Sequence, residues 1–387
     1  MKNWKRVRAA DFIEFNPRLS IKKGAMATKV AMDKLQPFTK KIPAIEKAEF
    51  AGGAKFCNGD TIMARITPCL ENGKTAFVDI LSDGEVAFGS TEFIVMRARA
   101  GISDSQFVYY LATSPIFRNV AIKSMVGSSG RQRVQQGVLD ELELIVPPLD
   151  EQRKIGALLA AMDEKKALNN KINDNLEQQA AALITRYQTT TDTTIVLSEI
   201  MDFENGFAFQ SSTYLSKGTY RIITIKNVQD GRIDSDGSAY IDSLPPRMKN
   251  GCKLCIGDAL LSLTGNVGRV GIVCENNLLL NQRVAKIVPH DSALLPFLYF
   301  VFRLSSTKTM LESIAKGTAQ LNLSPVETLK LSIPFDYATA MQLSHVLKPI
   351  YHAIAVNNQE SIALAHTRDS LLPRLMRGEI NVSDIEF

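Results

Sequence analysis

The sequence predicts a mixed α/β protein built as an internal repeat, in the order globule, long helix, globule, long helix. Three observations carry that prediction. Two helix-like segments share a seven-residue apolar repeat with Asn at its centre, two Gly-Asp segments open similar strand-turn-strand runs, and each globule closes on a short strand ending in proline.

The helices are the clearest signal. Around "ALNNKINDNL" (Ala167 to Leu176), Ile155, Met162, Asn169, Leu176 and Leu183 recur every seven residues. Around "AVNNQESIAL" (Ala355 to Leu364), Leu343, Ile350, Asn357, Leu364 and Leu371 do the same, 188 residues on (343 minus 155). An apolar residue at every seventh position forms the seam of a left-handed coiled coil. Asn within such a seam is a register device, because two amides bond only when aligned. Asn169 and Asn357 are therefore candidates for fixing the register of a helix pair. The companion positions are uneven: Leu158, Lys165, Ile172 and Gln179 in one helix, Val346, Ala353, Glu360 and Thr367 in the other. The seam is thus partial and shared with other surfaces.

The globules repeat as well. "NGDTIMARITPCLENGKTAFV" (Asn58 to Val78) and "IGDALLSLTGNVGRVGIV" (Ile256 to Val273) both start at Gly-Asp, alternate like a strand, turn through Gly and Asn, and return as a second strand. The polar loops "MVGSSGRQRV" (Met125 to Val134) and "IAKGTAQLNLS" (Ile314 to Ser324) follow helical patterns and precede "LELIVPP" and "LKLSIPF". The expected boundaries are a first globule over 1–146, a helix over 147–190, a second globule over 195–334 and a second helix over 335–380. Asp150 and Glu151 suit the amino end of the first helix, which should run to about Tyr187. "QTTTDTT" (Gln188 to Thr194) reads as the linker. Pro349 should kink the second helix or mark a later start, and Gly378 is a plausible stop.

Composition bounds the function. At 387 residues and 45% hydrophobic, the chain can bury a large core and divides into two or three domains. No apolar run follows "MKNWKRVR", and "ALLPFLYFVF" (Ala293 to Phe302) is far short of a membrane span, so the expected location is the cytoplasm. Five scattered cysteines favour reduced thiols, and the lone Cys252-x-x-Cys255 lacks a second ligand pair for zinc. Lys plus Arg outnumber Asp plus Glu by 21 to 15 over 1–146 and by 14 to 12 over 195–334, while the helical segments count 6 to 6 and 4 to 6. Within the first 55 residues the count is 13 to 5. Such an excess attracts a polyanion such as DNA. Phosphate-binding glycine loops, an aminomethyltransferase Pro-Pro-Tyr run and a hydrolase nucleophile elbow are all missing, so the expected role is not catalytic.

"VPPLDEQRKIGALLAAMDEKKALNNKINDNLEQQAAALI" (Val146 to Ile184) resembles the first helical repeat of the specificity subunit of type I restriction-modification systems, and "SLLPRLMRGEI" (Ser370 to Ile380) the end of the second. "GDTIMARITPCLENGKTAFV" looks like the opening of that family's target recognition domains. The second half departs from the pattern, since "IPFDYATAMQLSHVL" lacks the Pro-Leu-x-Glu-Gln run. The resemblance implies two target recognition domains separated by two long antiparallel helices in a pseudo-twofold repeat, each domain reading one half of a split double-stranded DNA sequence. From Ile155 to Leu183, at about 1.5 Å rise per residue, a helix spans about 42 Å. That corresponds to about 12 base pairs, one helical turn between half-sites. The chain would bind no cofactor. S-adenosylmethionine would sit on adenine-N6 methyltransferase subunits, expected as two, and ATP and Mg on restriction subunits, with the helices offering docking surface.

DNA readout calls for Arg or Lys toward guanine, Asn or Gln toward adenine, and Ser or Thr toward phosphate or base edges. In the first globule the candidates are Arg65, Asn72 and Lys74 around the turn, and Ser128, Ser129, Arg131, Gln132 and Arg133 in the polar loop. In the second they are Asn266, Arg269, Asn281, Gln282, Arg283, Thr318, Gln320 and Asn322. Two alternatives stay open: a type II specificity subunit with a split target, and a coiled-coil scaffold that touches no DNA.

Overall fold

The computed structural model describes residues 3–128, 130–317 and 320–382. The chain divides into two compact units, one comprising the chain up to Lys165 together with the segment from Leu364 onward, the other Lys166–Ala363. The division cuts across both long helices, so each unit holds one globule and one portion of each helix.

In the first unit an antiparallel sheet orders Ile13–Phe15, Phe93–Ala98, Thr61–Ala64 and Thr75–Phe77, and a second sheet orders Glu46–Glu49, Met26–Val30, Ala87–Gly89 and Ala54–Phe56. Met26–Val30 runs parallel to Ala87–Gly89. The second unit repeats this plan: Met201–Asn205, Val284–Pro289, Ala259–Ser262, Val270–Ile272 and Gly231–Arg232 form one sheet, and Tyr240–Ile241, Tyr220–Ile223, Leu278–Leu280 and Lys253–Leu254 the other. There the corresponding pair, Tyr220–Ile223 with Leu278–Leu280, is again parallel, and Gly231–Arg232 adds a second parallel pair with Val270–Ile272. The closing strands Glu143–Val146 and Ser332–Pro334 pair back onto Lys5–Arg8 and Thr194–Val196 respectively.

The Gly-Asp motif has a local cause in both units. Gly59 and Gly257 sit at φ +88° and +90°, where a side chain would be strained. The next carboxylate closes the turn: Asp60 accepts from the Cys57 N–H at 2.8 Å and Asp258 from the Cys255 N–H at 2.9 Å. Cys255 thus belongs to a turn, and the five cysteines are free thiols. Each Asp also meets a cation from the neighbouring strand, Arg97 at 2.7 Å and Lys286 at 3.5 Å. The apolar run Leu295–Arg303 is a helix buried on nearly every side within the second core, which explains its uninterrupted hydrophobicity.

The long helices span Leu149–Thr190 and Tyr337–Met376. Pro349 neither ends nor delays the second helix, which begins twelve residues earlier and continues past it. The first helix reaches the end of the expected 147–190 segment, three residues past Tyr187 and into the stretch read as linker, with Thr189 and Thr190 hydroxyls bonding back to the Arg186 carbonyl. In the second unit Asn173 meets Asn358 and Tyr187 meets Asp336, so the helices there run antiparallel, and in the first unit Asp163 pairs with Arg368.

Burial corrects the seam. On the first helix the buried companions are Leu159, Asn173, Ala180 and Tyr187, four residues after Ile155, Asn169, Leu176 and Leu183, whereas Lys165, Ile172 and Gln179 are exposed. On the second helix the buried columns are Ala340, Leu347, Ile354 and Ser361 beside Ser344, Tyr351 and Asn358. Leu343, Ile350 and Asn357 flank this stripe and are half-buried.

Candidate nucleic-acid interface

In the first unit the strand Thr61–Ala64 delivers Arg65 to a junction of three segments. The Arg65 N–H donates to the Glu92 carbonyl at 2.9 Å, and its own carbonyl accepts from the Val134 N–H at 2.9 Å. One step on, Thr67 donates its N–H to the Gln132 carbonyl at 3.0 Å and accepts the Gln132 N–H on its hydroxyl at 2.9 Å. The polar loop is a narrow hairpin closed by reciprocal bonds between Val126 and Arg133, at 3.0 and 2.9 Å. Beyond Thr67 a tight turn carries Asn72 and Gly73, the glycine at φ +73°.

The second unit builds the same junction. Leu263 donates to the Arg283 carbonyl at 3.1 Å and accepts from Leu323 at 2.7 Å, while Lys316 and Asn322 close the loop reciprocally at 2.9 and 2.8 Å. Leu263 therefore stands where Arg65 stands, Arg283 where Glu92 stands, and Asn322 where Arg133 stands. The scaffold repeats and the side chains do not.

The candidates divide by their engagements. Lys74 donates to the Met32 carbonyl at 3.0 Å, Arg65 to the Val134 carbonyl at 3.2 Å, and Arg269 to Gln229 at 2.9 Å. Asn281 caps Arg283 N–H at 3.4 Å, and Asn322 bridges the Thr264 hydroxyl at 3.0 Å and the Gln320 carbonyl at 3.2 Å. These five hold the loops in shape. Arg133 pairs with Glu92 at 2.7 Å, and that hydrogen bond holds the Glu92 carboxyl below its ordinary range. Among the described residues, Asn72, Ser128, Arg131, Gln132, Asn266, Gln282, Arg283 and Gln320 make no side-chain hydrogen bond or ion pair. All except the half-buried Gln132 are exposed. Ser129 and Thr318 lie outside the described residues.

Sequence reasoning missed Glu92, which pairs with Arg133, because it sought only donors of the kind that read DNA and the two residues lie 41 apart in the chain. It also missed Phe38, an exposed ring against the Asn72 turn.

The Asn positions form a buried polar knot in the second unit. Asn169 Nδ2 donates to the Asn357 carbonyl at 3.3 Å, to Glu360 at 2.7 Å and to the Ser361 hydroxyl at 3.3 Å. Asn173 accepts from Asn357 at 2.8 Å and donates to Asn358 at 3.0 Å. Three side-chain amides thus bond in a chain, Asn357 to Asn173 to Asn358, with Asn169 joining through the Asn357 main-chain carbonyl, and Asn358 reaches the Gly231 carbonyl of the globule at 3.2 Å. In the first unit the corresponding polar contact is the Asp163–Arg368 pair, extended by a Tyr110 hydroxyl donating to Asp163 at 2.6 Å.

Among the described residues no cluster of three or more His, Cys, Asp or Glu could hold a metal ion, and no helix is long and apolar enough to cross a membrane. The family described as "Type I restriction modification DNA specificity domain" matches residues 1–178 and 193–366. The type I restriction enzyme MjaVIII specificity subunit of Methanocaldococcus jannaschii is 21% identical over 417 aligned positions, covering 100% of this chain and 95% of that protein. The EcoAI specificity subunit of Escherichia coli is 30% identical over 154 residues, which cover 40% of this chain and only 24% of that longer protein. The crystal structure of the type I S subunit from M. genitalium shares the fold, with a TM-score of 0.55 at 16% identity and 96% of each chain covered. Two copies of one globule, each joined to a stretch of an antiparallel helix pair and each matched by the same family, leave one conclusion: the chain belongs to the type I restriction-modification specificity family, the component that confers specificity and not the one that catalyses.

Proposed function

We propose that this chain reads a split double-stranded DNA target, one half-site per globule, and docks two adenine-N6 methyltransferase subunits, with restriction subunits completing the complex in the cytoplasm. The observation that carries the reading is the repeated junction with unlike side chains. One backbone scaffold presents Asn72, Arg131 and Gln132 in the first unit and Arg283, Asn266 and Gln320 in the second, as expected for two readers of two different sequences. Lys and Arg near the loops supply affinity through phosphates, and bidentate side chains supply discrimination at base edges. Methyl transfer from S-adenosylmethionine and ATP- and Mg-dependent cleavage belong to the partners. By the same reading, the knot of Asn169, Asn173, Asn357 and Asn358 holds the helix register and with it the spacer.

The test is a genome-wide map of N6-methyladenine in the host with the gene intact and deleted. Loss of methylation at one split motif, with an adenine modified in each half, supports the reading. Identical maps in cells expressing the protein and its methyltransferase refute it.

A further inference from the structure

Phe38 combines high exposure with a backbone conformation unusual for its type. Its side chain is 60% exposed and its backbone lies at φ +52°, the left-handed region that bulky residues avoid because Cβ crowds the next carbonyl. Such conformations persist where the surroundings over-determine them, and they gather at ligand-contacting sites.

The surroundings do over-determine it. Phe38 N–H donates to the Gly73 carbonyl at 3.0 Å, and Phe77 N–H donates to the Lys40 carbonyl at 2.9 Å. Upstream, Lys74 holds Met32. Downstream, the Lys40 amine is buried over the rings of Phe77, Tyr109 and Tyr110, 5.1 Å from the last. The Phe38 ring covers Gly73 so closely that a Cβ there would fall 2.5 Å from it. Arg118 lies 5.2 Å from the ring centroid and ties the same turn together by donating to the Glu71 carbonyl at 2.6 Å. A loop pinned at both ends thus holds an aromatic ring next to exposed Asn72.

We propose that Phe38 is the apolar base contact of the first half-site, meeting a base face or a thymine methyl group beside the position read by Asn72. The proposal rests on the DNA-reading function above. Phenyl rings serve both as partners of the thymine methyl and as wedges between base steps. At the second unit's turn the half-buried Ile225 approaches Gly265, 3.7 Å from where a Cβ would lie, so among the described residues an aliphatic side chain stands where the first unit has the Phe38 ring.

The test uses the full chain assembled with its methyltransferase subunits and duplexes varied in one half-site at a time. Phe38→Asn keeps a residue that tolerates the left-handed backbone. Methylation of the cognate duplex should fall about tenfold or more, with relaxed discrimination at one position of the first half-site only. The salt dependence should stay unchanged, since no phosphate contact is lost. Phe38→Leu should fall between the two and covers the case in which Phe38→Asn does not fold. Uracil in place of thymine reproduces the loss if a methyl group is the partner, and leaves the rate unchanged if the ring stacks. Wild-type rates and discrimination in both variants overturn the proposal. A wild-type complex with no split-target preference refutes the DNA-reading function instead.

Discussion

Replacing Arg368 by Met removes the buried cation of the polar contact that ties the first globule to its helices, along with a pair to the exposed Asp369 at 2.7 Å. The Asp163 and Arg368 side chains are 10% and 12% exposed, and Asp163 also accepts from the Tyr110 hydroxyl at 2.6 Å. Met preserves most of the aliphatic stem and its packing, so the substitution chiefly strands the carboxylate. Breaking a buried pair from one side costs ~3–5 kcal/mol, and the residual exposure here favours the lower end, about 3 kcal/mol. For a unit of this size each kcal/mol is worth ~2–4 °C, so the melting transition assigned to it should drop by about 6–12 °C. Adding Asp163→Asn removes the charge while leaving an acceptor for Tyr110, and should recover much of the loss. Calorimetry of wild type, single and double variants decides the matter. A drop below about 2 °C, or a double variant no more stable than R368M, would refute the view that a stranded buried charge dominates.

Arg283→Ala should weaken discrimination at one position of the second half-site by ~1–3 kcal/mol, without changing the melting temperature, when binding is measured on single-base variants. Gly206→Ala places a Cβ 2.2 Å from the Asn281 backbone, so it should cost ~1–3 kcal/mol in urea denaturation and impair the second half-site alone. The Glu85 carboxyl is held down to about 2, first by Lys47, then by Thr28 and the Ser82 N–H. Because its folded value lies below its unfolded one, this stabilisation is complete above about pH 4.5 and fades as the pH falls toward 2. Glu85→Gln should flatten that part of the urea-midpoint profile between pH 5 and 3.

By itself the sequence determined the repeat, the two long helices, the Gly-Asp turns and the family, because these rest on short-range patterns: seven-residue periodicity, a glycine at positive φ, a carboxylate three residues from the N–H it caps. It also located both polar loops. Only the tertiary structure decided which loop side chains remain available, since Lys74 is claimed by Met32, Arg133 by Glu92 and Arg269 by Gln229, partners separated by some 40 residues whose meeting no local pattern encodes. The same holds for the seam. Periodicity of seven runs down several stripes of an amphipathic helix, and the packed globule selects the stripe through Asn358 and Leu347 instead of Asn357 and Leu343. Phe38 was invisible for a related reason: a lone Phe in a polar loop reads as ordinary until its backbone angle and its seat on Gly73 are known.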